Sequence, residues 1–298
     1  MNFTNRTQLP DHIAHVLKAA YLNDAYDAPK GEKVISVTTL IGPAQKRVLE
    51  RTNADTLGMD VLDTIPALLG QALHHILERA GANAPTAIPE ERLSTMHDGW
   101  TISGKSDLYE TKDHILIDYK NSSVWTYIFG KVEWEQQLNV LRWIRERNGQ
   151  KVNGLAIVLF CGDWRRNESL RSPDYPARVV NIPIPMWTMD QATEFVDTRL
   201  ALHRAAQDGR TVPCSDMERW QKPTSWAVIK DGNKRAASVH DTEAAAAAAL
   251  KAGHHVEKRP GESVRCNGYC LAGTAGVCPQ WNADETNPKN RKETADVS

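Results

Sequence analysis

Apolar positions first recur at helical spacing. From Asp11 to about Tyr26 they predict an amphipathic helix. "EKVISVTTLIG" predicts a short extended segment and "PAQKRVLERTN" a helix. "VLDTIPALLGQALHHILERAG" predicts a longer helix in which His74 and Glu78, four apart, share one face. From Glu90 the period becomes that of strands. "EERLSTM", "WTIS" and "HILIDYK" predict three strands, the first pair joined at Asp98-Gly99, a strong hairpin signal, and the second by "ETKD". "TYIFGKVEWEQQLNVLRWIRERNG" predicts one helix ending at Gly149. "VNGLAIVLFCGDW" and "ARVVNIPIPMW" predict two more strands, and "MDQATEFVDTRLALHRAAQDG" a helix closing on Gly209. Helix, three strands, helix, strand is the order of an α/β domain with a mixed central sheet flanked by helices.

After Pro213 the texture changes. "AVIKDGNKRAASVH" predicts a hairpin around Asp231-Gly232, "DTEAAAAAALKAG" a capped helix and "HHVEKRPG" a strand. This strand-strand-helix-strand insert divides Cys214 from three later cysteines. The expected organisation is a core with an N-terminal helical region over 1–213, a Cys-rich lobe over 214–281, and a polar, disordered tail over 282–298.

Composition narrows the partners. With 36 Lys and Arg against 37 Asp and Glu, the net charge is -1. No chain-wide basic field exists, so a nucleic-acid site must be a local patch. No apolar run approaches a membrane span, and "MNFTNRTQLPDHIAHV" lacks an apolar signal core. A cytoplasmic protein without a membrane partner is expected. Cys161 sits inside an apolar strand and reads as a small hydrophobe. Cys214, Cys266, Cys270 and Cys278 follow the pattern C-x51-C-x3-C-x7-C. Without an export signal, that set predicts metal rather than disulfides, either Zn²⁺ or an iron–sulfur cluster.

"GWTISGKS" matches the phosphate-loop pattern letter for letter. That loop works only as a turn from strand into helix. Here strands stand on both sides, and Asp107 would set a carboxylate against the phosphates. Nucleotide binding is therefore disfavoured, and a nucleotide-driven ATPase is a third reading that rests on this segment alone.

The chemistry lies one residue further on. A hairpin-like connection lets the strand ending in Asp107 lie beside "ILIDYK", whose Asp118 and Lys120 share a face. Two carboxylates that close repel unless a cation lies between them, and hard oxygen donors suit Mg²⁺ or Mn²⁺. Lys120 can orient an attacking water or steady developing negative charge. The set suits phosphodiester hydrolysis. Ser122 and Ser123 past the strand end, and Arg165 and Arg166 in the loop "GDWRRNESLRS", are candidate phosphate donors.

The series D-x(n)-D-Y-K resembles the PD-(D/E)XK nuclease superfamily. Gly70 to His74 as G-x-x-x-H, and Gln137 in "WEQQLNVLRW", narrow the resemblance to its RecB-like and Cas4-like branch. The flanking chain is similar to bacteriophage members. The motifs span His74 to Trp143 in order. The resemblance implies a restriction-endonuclease-like core that cleaves DNA with Mg²⁺. His74, Asp107, Asp118 and the Tyr119 carbonyl would hold the metal, and Gln137 would support the site. His75 and Gln136 are the neighbouring alternatives. It also implies exonuclease action on DNA ends, phage recombination or replication partners in a host cytoplasm, and a [4Fe–4S] staple in the lobe. The chain departs from the branch in two places: Leu141 stands where a Tyr is frequent, and no Cys precedes Cys161. The rival reading is a non-cleaving DNA- or partner-binding protein on a nuclease fold.

Overall fold

The computed structural model describes residues 1–23 and 29–290. The chain divides into two compact units. One is Phe3–Gly42 with Asp60–Arg204; the other is Met1–Asn2, Pro43–Met59 and Ala205–Ser298.

The first unit contains helix α1 (Asp11–Leu22), strand β1 (Val34–Ser36), helix α2 (Val37–Ile41) and helix α3 (Ile65–Gly81). Strands β2 (Ala87–His97), β3 (Trp100–Glu110) and β4 (Ile115–Ser122) follow. Helices α4 (Val124–Phe129) and α5 (Val132–Arg147), strands β5 (Gly154–Cys161) and β6 (Val179–Ile184), and helix α6 (Met189–Gln207) complete it. The sheet runs β1-β3-β4-β5-β6, with β2 on the opposite edge of β3. β1 pairs with β3, and β4 with β5, in parallel; the other pairs are antiparallel. This is the mixed sheet with flanking helices that the element order predicts.

Turn chemistry fixes the registers. Asp98 and Gly99 both hold positive φ, 45° and 73°, as a two-residue hairpin loop with the twist of its strands requires. His97 therefore pairs with Trp100, and the ladder runs back to Ala87 opposite Glu110.

Several expectations are corrected. The helix expected to run unbroken to Gly149 is two helices, because Gly130 takes φ 69° and ends α4. α1 stops at Leu22; the expected end at Tyr26 lies outside the described residues. "WTIS" is the start of a strand that continues to Glu110, so "SGKS" is strand throughout.

That strand explains its own glycine. A Cβ on Gly104 would stand 2.3 Å from a Leu141 methyl and 2.8 Å from one on Val37. Strand and helix approach closely there, over a core that includes Ile102, Leu116, Leu138, Ile144 and Ile157. Arg145 is buried beside it. Its guanidinium donates to Glu91 at 2.6 Å and to Gln150, and lies 4.0 Å from the Tyr109 ring centroid, tying α5 to both strands of the hairpin.

In the second unit Ser225–Lys230 is the central strand of an antiparallel sheet between Ala236–His240 and His254–Arg259. The Ala-rich segment forms the short helix Glu243–Ala248, whose first turn is capped by Thr242. Past residue 282, Asn287 is buried and donates to the Trp281 carbonyl at 3.0 Å; the expected tail beyond residue 290 lies outside the described residues. Among the described residues, no helix is long and apolar enough to cross a membrane.

Overpacking a filled core costs about 1–3 kcal/mol. Gly104→Val is expected to lower unfolding stability by about that amount, read as a fall in the urea midpoint at unchanged slope.

Candidate active site

One edge of β3 serves two partners. Residues 101–103 pair with β1, and residues 108–110 with β4. Between them the edge opens into a fork, while β4 remains paired with β5 along its whole length. At the fork the Tyr119 amide has no carbonyl of β3 to meet. It donates instead to Asp107 Oδ2, at 2.6 Å. The parting of two strands thus sets the carboxylate of one against the backbone of the other.

Asp118, beside Tyr119, is only 1% exposed. Its Oδ1 accepts from Gln137 Nε2 at 2.9 Å, a residue on α5 one turn before Leu141. Its Oδ2 pairs with Lys120 Nζ at 2.5 Å. The acid and base two residues apart are therefore partners on one face of β4.

α3 contributes His74. Nε2 lies 3.1 Å from the Tyr119 carbonyl and Nδ1 3.3 Å from Asp107 Oδ1. His75 also lines the cleft, but its Nδ1 lies 3.7 Å from Glu78 and it is far more exposed than His74. Gly70, one turn earlier on α3, lines the same cleft.

Glu90 completes the group and was not singled out from the sequence. Its Oε1 is 3.8 Å from His74 Nδ1, and its Oε2 pairs with Lys105. Its φ of 52° breaks the regular backbone of β2. The signal was present in the hairpin. Pairs Pro89–Leu108 and Glu91–Ser106 bracket Glu90 opposite Asp107, a register that follows from counting back from the two-residue turn.

These groups surround a cleft of about 580 Å³. Hydrogen bonds to Asp107 first, and then to Glu90, raise the His74 pKa to about 10. Burial first, reinforced by Asp107 and opposed by Lys120, raises Asp118 to about 6. For Lys120 burial acts against the charge, but the Asp118 carboxylate outweighs it and holds the ammonium above its ordinary range. Glu90 is likewise opposed by burial, yet His74 and Lys105 bring it below the usual carboxylate value.

The donor set fits a hard divalent cation. One ligand atom each of His74, Glu90 and Asp107 lie within 4.8 Å of one another. Carboxylates with imidazole and no sulfur suit Mg²⁺ or Mn²⁺. Asp118 stands next to this group with both oxygens engaged by Gln137 and Lys120.

Other expected residues are placed apart. Ser122 Oγ shares a hydrogen bond with Thr126 at 2.8 Å. Arg165 and Arg166 are exposed beyond the end of β5, and like Ser122 they do not line the cleft. Leu141, at the position where a Tyr was the alternative, is buried over Gly104.

The four cysteines of the second unit gather around a cavity of about 20 Å³. Cys266, Cys270 and Cys278 are buried. Burial first, and then Glu218 and the other thiols, pushes Cys214 up to about 12; burial and then Cys270 and Cys278, opposed by Arg219, take Cys266 to about 11. Among the described residues, no three of these sulfurs lie within 4.8 Å of one another.

No protein-family model matches the chain, and no curated protein sequence matches it. Among solved structures, the chain is similar to SSO0001, at 18% identity and a TM-score of 0.50, over 70% of this chain and 92% of that one. That likeness shows a shared fold. Weaker ones run to a proposed exonuclease from Eubacterium rectale, at 11% identity and a TM-score of 0.33, over 69% of this chain and 89% of that one. A phage-related exonuclease from Haemophilus somnus 129PT follows at 14% and 0.29, over 68% and 84%. At those scores the two names say nothing of this chain's activity.

Calorimetric titration with Mn²⁺ checks the donor set. Glu90→Gln is expected to weaken binding on the order of 10–100-fold, while His75→Ala keeps the wild-type affinity.

Proposed function

We propose that the protein is a divalent-metal-dependent deoxyribonuclease. The observation that carries this reading is the gathering of Asp107, Asp118 and Lys120 with His74 and Glu90 at one strand fork. His74, Glu90, Asp107 and the Tyr119 carbonyl would hold the metal, with Asp118 at its side. A bound Mg²⁺ would polarise a phosphoryl oxygen and acidify an attacking water. The chain's own groups do the rest. Gln137 fixes the orientation of the Asp118 carboxylate, and Asp118 holds the Lys120 ammonium in place. Lys120 then orients the nucleophile and offsets the negative charge that grows on the phosphate. Asp107, held by the Tyr119 amide, keeps one oxygen for His74 and the metal. Action on DNA ends, in phage recombination or replication, is the finer reading and rests on the resemblance of the motifs.

We further propose that Cys214, Cys266, Cys270 and Cys278, which line one small cavity, hold metal, and the resemblance of the motifs favours an iron–sulfur cluster over zinc. The cluster would staple Cys214 to the 266–278 segment across the insert, and metal binding would supply folding free energy to that unit.

End-labelled DNA incubated with Mg²⁺, Mn²⁺ or EDTA tests the first proposal. Cutting is expected only with metal, and Lys120→Ala is expected to slow it by about 10²–10⁴-fold. A folded, metal-replete protein that binds DNA without cutting it would assign the fold to binding alone. For the second proposal, anaerobically purified protein is expected to carry iron and inorganic sulfide, both lost in Cys270→Ser. Zinc in their place would overturn the cluster.

A further inference from the structure

α4 leaves the catalytic strand with its aromatic rings in water. Trp125 is 61% exposed and Phe129 79%. One helical turn apart, they stack on each other with centroids 5.9 Å apart and planes within 15°. Large aromatic side chains bury 150–250 Å² when they find a partner, and a soluble chain rarely leaves two together in solvent. The placement is held by polar contacts and not by packing of these rings. The Val124 amide donates to Asp163 Oδ1 at 2.7 Å, and the Gly162 amide to the Ser122 carbonyl at 2.8 Å. Gly130, at φ 69°, stops the helix and leaves Phe129 at its tip.

The same contacts join α4 to a loop that carries positive charge. Asp163, whose carboxylate caps α4, precedes Arg165 and Arg166 by two and three residues, and both arginines are exposed. The rings are also tied to the site. Trp125 lies five positions after Lys120, a reach of no more than about 18 Å of chain. Flat, exposed π-faces on a helix bonded to a loop that carries two exposed arginines, and following the strand of Lys120, fit a strand with unpaired bases and a phosphate backbone. A base presents a face to stack on, and its phosphate presents a charge to pair. A base pair inside a duplex has both faces already covered.

We infer that Trp125 and Phe129 form a stacking platform for unpaired bases of a single-stranded DNA segment, whose phosphates Arg165 and Arg166 receive. This deepens the nuclease reading, on which it rests, by naming the form of the substrate. The platform binds the strand that leads into the fork, and it favours single-stranded ends over blunt duplex ends.

Fluorescence anisotropy with a short labelled oligothymidine, in EDTA so that nothing is cut, tests it. Trp125→Ala and Phe129→Ala are each expected to weaken binding by about ten- to hundred-fold, and Trp125→Phe is expected to restore most of it. An oligonucleotide of equal length with abasic positions is expected to bind wild type weakly and to be indifferent to Trp125→Ala. Arg165→Ala is expected to flatten the salt dependence. Thermal unfolding checks that each variant is folded, which side chains this exposed make readily achievable. Wild-type affinity in both alanine variants overturns the inference. So does a protein dimer that Trp125→Ala dissolves, since a second copy would then cover the rings. Because no cleavage is read, stacking can hold while the Lys120→Ala test fails, and the reverse, so the two readings fall separately.

Discussion

The hydrogen bond from the Tyr119 amide to Asp107 is the constraint on which the candidate site depends. A backbone donor in a sheet must find an acceptor, and where β3 parts from β4 the regular one is gone. A carboxylate of the departing strand takes its place. That single substitution of side chain for ladder fixes the spacing of the two strands at the fork. It also points the other Asp107 oxygen at His74 and leaves the Tyr119 carbonyl within 3.1 Å of His74 Nε2. The close approach of α5, permitted by Gly104, then delivers Gln137 to Asp118. The site is thus a consequence of an interrupted sheet, braced from behind by a helix that could not come so near over any larger residue.

How much of this was legible in the sequence depended on the range of the interaction. Local signals read well: the Asp98-Gly99 turn, the alternation of β3 and β4, the cap of the Ala-rich helix. Asp107, Asp118 and Lys120 could be proposed together because two neighbouring strands carry them, whereas His74 and Gln137 joined the set only through the resemblance of the motif order. Glu90 escaped because it looked like the start of a strand, and only a count across the hairpin shows what it faces. The break at Gly130 escaped for another reason. "TYIFGKVEW" keeps helical spacing through the glycine, and only the positive φ shows that the chain turns there. The division of the chain was hidden too, because Pro43–Met59 joins a unit whose other long segment begins at Ala205. Nothing in the local pattern of that helix announces so distant an association.

The false phosphate loop is instructive for the same reason. Each of its residues has a use in the structure, and none of the uses concerns a nucleotide. Gly104 lets α5 come close, Lys105 pairs with Glu90, and Ser106 accepts from the buried Arg145 guanidinium at 3.3 Å. A motif of this kind depends on backbone amides free to point at phosphate. Here those amides belong to a strand within the sheet.

Charge balance gives the cleft its readiness for a cation and a polyanion together. The acids Glu90, Asp107 and Asp118 are set against Lys105, Lys120 and a protonated His74, whose two ring nitrogens both have acceptors within reach. The His74 proton therefore stands where a cation is called for, shared among groups that would repel without it. An imidazole must give up a proton before it can ligate. A divalent cation taken up through His74 would thus bring two positive charges in exchange for one. It would also draw on the Glu90 carboxylate that holds Lys105. The surplus charge would face the open cleft, which is where the phosphates of a DNA strand would lie. Metal and polyanion would then favour each other's binding through the same set of side chains, with no movement of the sheet required.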